Sequence, residues 1–173
     1  MEYKKKPALY HKKQSEILLS SELFLSIAQD VLNKGLPFRF RATGFSMLPF
    51  IKNSDVITIL PVKNCTIFIG DVVIVADQYN KKVVVHRVVN RSKDSYLIKG
   101  DNCFKFDGFA SLNEILGKVV KIERKGKITR LGIGGEKRVI AFLSRNRVCI
   151  YLSFLCRKAL IFIKNDLFKK PSL

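Results

Sequence analysis

The chain has 173 residues, 47% of them apolar, and its 32 Lys and Arg against 14 Asp and Glu give a formal charge of +18. That length and apolar content fit one compact domain with basic appendages, and they exclude a chain disordered over most of its length. The charge favours anionic partners such as lipid headgroups or nucleic acid and says nothing about the fold.

Residues 1–14, MEYKKKPALYHKKQ, read as a basic tail. No clean apolar run with a small-residue cleavage site follows it, so no secretory signal is read there. Over residues 15–35, Ile17, Leu18, Leu23, Phe24, Ile27, Ala28, Val31 and Leu32 recur at helical spacing until Gly35 and Pro37 stop them. This predicts one amphipathic helix. Glu22, Asp30 and Lys34 make it too polar to cross a bilayer, and it falls short of the roughly 20 apolar residues that crossing needs.

Residues 36–125 change to short runs rich in Val, Ile and Phe: FRFRATG, DVITILPV, GDVVIVA, KKVVVHRVV, SYLIKG and LGKVVKIER. Gly, Asp, Asn and Pro punctuate them, the pattern of a mainly β domain. Residues 126–136, GKITRLGIGGE, read as a glycine-rich joint, and residues 137–173 as a basic amphipathic helix. Its apolar stretch from Val139 to Ile163 is interrupted by Arg145, Arg147, Arg157 and Lys158. Each charge at a bilayer centre costs about 2.5–3.5 kcal/mol, so a surface position on an anionic leaflet is expected rather than a span. The alternative is packing on the domain through a stripe of Phe142, Cys149, Leu152, Cys156 and Ile163.

Cys65, Cys103, Cys149 and Cys156 form no C-x-x-C pair, and the chain has two histidines. Neither a metal site nor another cofactor is expected, and no disulfide is.

Chemistry concentrates in the β region. Ser46 stands in GFSMLP, His86 in VVVHRVV, and Asp101 and Asp107 in IKGDNCFKFDGF. A serine hydroxyl becomes a useful nucleophile when a histidine, oriented by a carboxylate, takes its proton. Taken singly, the serine reads as a turn residue, the histidine as a structural strand residue and each aspartate as a turn former. Alternation puts Val84, His86 and Val88 on one strand face and Val85, Arg87 and Val89 on the other, without saying which is inward.

Taken in order, GFSMLPFIKNSDVITI, IGDVVIV, VVVHRVV, LIKGDNCFKFDG and ILGKVVKIER, spanning about residues 38–124, resemble the S24/S26 serine peptidases. The likeness is to the signal-peptidase branch that uses histidine, the archaeal and endoplasmic-reticulum type, because His86-Arg87 stands where bacterial signal peptidases and LexA-type proteases carry a lysine. The resemblance implies a LexA/signal-peptidase-like coiled antiparallel β-domain, flanked here by the N-terminal amphipathic helix and the basic C-terminal helix. It also implies a serine endopeptidase that removes leader or signal segments bound as an extended strand. Ser46 would be the nucleophile, His86 the base, and Asp107 the orienting acid in preference to Asp101, which supports it. The oxyanion and substrate-binding set would be Thr43, Gly44, Ser46 and Met47. Gly44 departs from the family, which commonly has serine there, so a side-chain oxyanion donor is missing.

Two other readings compete. A LexA-like self-cleaving regulator would place a helix-turn-helix before the protease, where one helix is predicted, and would use lysine in place of His86. A non-enzymatic basic protein could bind nucleic acid or membrane through charge, but charge leaves the Ser, His and Asp boxes unexplained, so nucleic acid is not the expected partner. The expected location is a membrane surface or the cytoplasm.

Overall fold

Ser20 opens the first helix, α1 (Ser21–Asn33): its hydroxyl accepts the Leu23 amide at 3.2 Å, satisfying one N–H that a helix start leaves unpaired. This computed structural model describes residues 20–77, 82–151, 154, 155 and 158. The basic tail, Ile17 and Leu18, and Leu152, Cys156, Arg157 and Ile163 of the C-terminal stretch lie outside the described residues. α1 closes where Leu36 N–H donates to the Val31 carbonyl and Gly35 N–H to that of Leu32, a Schellman pair. Its inward stripe is Leu25, Ala28 and Leu32.

The chain then builds one antiparallel sheet of eight strands. They are β1 (Phe38–Arg41), β2 (Val56–Pro61), β3 (Val72–Asp77), β4 (Lys82–Ser92), β5 (Ser95–Lys99), β6 (Gly108–Ser111), β7 (Ile115–Arg124) and β8 (Lys127–Thr129). Their order across the sheet is β1-β2-β7-β3-β4-β5-β6, with β8 paired to β7. Register shifts at Thr58/Ile59, Ile74/Val75 and Val88/Asn90 bend and twist the strands locally.

Both faces of the sheet are buried. One core holds Ala28 and Leu32 of α1 with Ile57, Ile59, Val72 and Ile74. The other holds Ile67, Val73, Val88, Tyr96, Ile98 and Ile115. Neighbouring residues of β3 thus point into different cores, as the two-residue strand period requires. The same holds in β4, where Val85 packs on the first core and Val88 belongs to the second.

Two C-terminal features differ from the sequence expectation. Residues 127–129, inside the expected joint, form β8, because Lys125 (φ 50°) and Gly126 (φ 77°) supply the pair of positive φ angles of a tight hairpin turn. The segment after 136 is not one continuous helix over its described part: α2 (Lys137–Arg145) ends at Asn146, and Arg147 has φ 64° before helix resumes at residues 148–151. Ile140, Ala141, Ser144 and Cys149 are buried, whereas Phe142 of the expected inward stripe is 66% exposed. Lys137 Nζ anchors α2 on Asp71 at 2.6 Å. Among the described residues, no helix is long and apolar enough to cross a membrane.

Asp55 joins β2 to β7. Arg124 reaches its two carboxylate oxygens at 2.9 and 2.7 Å, and the Lys52 amide donates to it at 2.8 Å. Burial by itself would raise the Asp55 carboxyl, but those hydrogen bonds and charges outweigh it and hold the group below its ordinary value. The stability it adds is present above about pH 4 and is lost as pH falls through the depressed folded value. Asp55→Asn is expected to cost about 2 kcal/mol at pH 7, and that deficit should shrink toward zero in acid. Thermal melts of both proteins at pH 7 and in strong acid check this; a deficit unchanged in acid would refute it.

Candidate active site

The turn after β1 presents Ser46. Gly44 has φ 92°, a left-handed conformation that favours glycine, and its amide donates to Asn53 Oδ1 at 3.1 Å. Phe45 and Ser46 then offer their carbonyls to the loop after β5: Asn102 Nδ2 donates to Phe45 O at 3.1 Å, and Asn102 N–H to Ser46 O at 2.7 Å. One asparagine therefore fixes the KGDN loop against the serine turn. The Ser46 amide donates to no acceptor among the described residues.

Gly100 lies between the serine turn and the histidine. A Cβ there would come within 2.9 Å of His86 Nε2, 2.9 Å of the Ser46 carbonyl oxygen and 2.7 Å of Cys103 Sγ. Any side chain would push these groups apart, so the close approach needs glycine. It also sets an upper limit: Nε2 and the Ser46 carbonyl are separated by no more than twice that 2.9 Å.

His86, in β4, is 8% exposed, and its Nδ1 lies 2.6 Å from Asp107 Oδ2. The Asp107 amide is itself tied to the Ile98 carbonyl at 3.0 Å, which sets the carboxylate just ahead of β6. A carboxylate acceptor at Nδ1 puts the neutral ring's proton there and leaves the Nε2 lone pair free as a base. No hydrogen bond joins Ser46 Oγ to His86 among the described residues, although both line the same cleft. Such contacts often tighten only when substrate binds.

Asp101 has a different partner. Arg87 Nε donates to its carboxylate at 2.8 Å and Arg87 NH2 at 2.7 Å, and both side chains are fully buried. Arg87 NH1 donates to the carbonyls of Gly70 at 2.8 Å and Gly132 at 2.7 Å. This guanidinium ties four chain segments together one residue from His86. Next to Asp101, the fully buried Lys99 donates to the Gly100 carbonyl at 3.1 Å, and burial pushes its ammonium below the ordinary lysine value despite the nearby aspartate.

Thr43 and Gly44 are exposed at the cleft, while Met47 is buried in the first core and lines the cleft from beneath. The structure thus brings Thr43, Gly44, Ser46, Met47 and His86 to one cleft, pairs Asp107 with the histidine and sets Asp101 behind it. The positioning roles of Arg87, Gly100 and Asn102 escape sequence reading, although the charged residue among the valines of β4 and the KGDN turn mark where to look. Among the described residues, no group of three His, Cys, Asp or Glu could hold a metal ion.

The cleft, about 670 Å³ in volume, runs between β1 and the first half of β4. Among the described residues, β1 pairs only with β2, and β4 pairs only with β3 from Lys82 to His86, since β5 begins its pairing at Arg87. Two unpaired backbone edges therefore border the cleft. Neither the models of known protein families nor the curated proteins give a match to this chain.

Proposed function

We propose that the protein is a serine endopeptidase of the signal-peptidase type, built on the LexA/signal-peptidase-like coiled β-fold. The observation that carries the reading is the 2.6 Å contact between His86 Nδ1 and Asp107, with Nε2 turned toward the serine turn across Gly100. A precursor peptide would add as a strand along the open edges of β1 and β4, held chiefly by main-chain hydrogen bonds.

Ser46 Oγ then attacks the scissile carbonyl carbon as its proton passes to His86 Nε2. The Asp107 carboxylate holds the ring in register and stabilises the imidazolium that forms. With Gly44 in place of a side-chain donor, the unengaged Ser46 amide is the first oxyanion donor, and the exposed Thr43 stands one residue before Gly44 in the same turn segment with a hydroxyl to offer. Collapse breaks the C–N bond, and the proton on Nε2 goes to the departing amine. Water, activated by the same histidine, hydrolyses the acyl-serine and restores the site.

A peripheral membrane position accompanies this reading. Val139 and Phe142 of α2 are exposed beside Arg138 and Arg145, an apolar surface with basic neighbours suited to an anionic leaflet.

A fluorophosphonate probe, which phosphonylates activated serines, tests the nucleophile. Peptide mapping of the full chain should find the label on Ser46, and a folded Ser46→Ala protein should take none. Labelling that survives this substitution, or a folded wild type that takes no label, would remove Ser46 as nucleophile.

A further inference from the structure

The cleft has a sign. Among the described residues that line it, Arg41, Lys52 and Lys82 are basic and none is acidic. Arg41 donates to a backbone carbonyl, that of Ser54 at 3.2 Å, and Lys82 has Asp77 4.0 Å away, outside the lining. Arg41 and Lys82 are exposed at the ends of β1 and β4 that border the cleft, and Lys52 is exposed in the turn before β2.

We infer that the cleft selects an acidic extended peptide segment, with Lys82, Arg41 and Lys52 as its specificity-determining residues; this rests on the endopeptidase reading and names its substrate class. Lys82 and His86 lie on one strand and share a face, four residues apart, which is about 13 Å of strand. A peptide paired along β4 would place one side chain opposite Lys82 when its scissile bond is opposite His86. The preferred acid therefore lies about four residues from the cut. A basic side chain there would meet Lys82, in a cleft whose described lining also carries Arg41 and Lys52 and no carboxylate. This is discrimination by repulsion as much as by attraction.

Fluorescein-labelled twelve-residue peptides with small residues at their centre provide the test. They carry Glu, Gln or Lys four positions to either side of the centre, and they are titrated by anisotropy against full-length Ser46→Ala protein. On one side, Glu is expected to bind about threefold more tightly than Gln and about tenfold more tightly than Lys at low salt. The order should collapse at high salt, and Lys82→Glu should invert it. Equal binding of all three peptides, no binding of any, or an order that survives Lys82→Glu would overturn the inference. So would displacement of the Glu peptide by phosphatidylserine vesicles whose binding Lys82→Glu abolishes, because the cations would then be reading headgroups. Cleavage by the wild type is scored separately. If the binding order holds and no peptide is cut, the endopeptidase reading falls and the acidic-peptide cleft stands; if peptides are cut without charge preference, the reverse holds.

Discussion

Asp107→Asn is expected to lower the rate of peptide cleavage by about 10⁴-fold while leaving the protein folded. The Asp107 side chain is 38% exposed, so an amide of the same shape there has water to satisfy it and costs little stability. Its electrostatic effect is different. At 2.6 Å from Nδ1, the carboxylate accepts the ring proton and stabilises positive charge on the imidazole. An asparagine can offer its NH2 instead, which turns the neutral ring into the tautomer whose Nε2 already carries a proton and cannot take one from serine. Steady-state kinetics on one peptide, paired with a thermal melt, separate the two effects. Activity within about tenfold of wild type would show that another group orients the ring.

Asp101→Ala should do the opposite, costing about 3–5 kcal/mol of stability because it strands a guanidinium where water cannot reach. Arg87 and Asp101 are both fully buried, and the Nε and NH2 groups lose their acceptor together. NH1 keeps the Gly70 and Gly132 carbonyls, so the side chain cannot swing out without breaking those bonds as well. Urea denaturation measures the loss. A shift below about 1 kcal/mol would mean that the interior readily hydrates the arginine. Activity per folded molecule should fall far less than in Asp107→Asn, because Asp101 acts on the frame and not on the ring.

The mainly β character was legible in sequence because the strands are short apolar runs closed by turn formers, and the end of α1 was marked by Gly35, whereas its start at the Ser20 cap was not read inside the expected span of residues 15–35. The face of β4 was not legible. His86 and Arg87 point to opposite sides yet both are buried, since each side of the sheet meets a core, and alternation marks an inside only when the other side is wet. The choice between the two aspartates was equally hidden. Asp101 and Asp107 are six residues apart in one loop-rich segment, and only the fold sends one to Arg87 and the other to His86. The break at Asn146 and Arg147 escaped as well, because apolar periodicity continued through it and a non-glycine residue took the positive φ.

The open edges of β1 and β4 have a consequence for how copies of the protein treat one another. Backbone groups ready to accept a peptide strand are equally ready to accept a strand of a second copy, the usual route to edge-to-edge aggregation. Arg41 and Lys82 stand on those two edges, within a chain of formal charge +18. Two copies approaching edge to edge meet cation against cation, a repulsion that salt screens. The residues that bias the cleft toward acidic segments thereby act as gatekeepers of the molecule's own solubility, and neutralising them for the sake of a broader substrate range would expose a sticky edge.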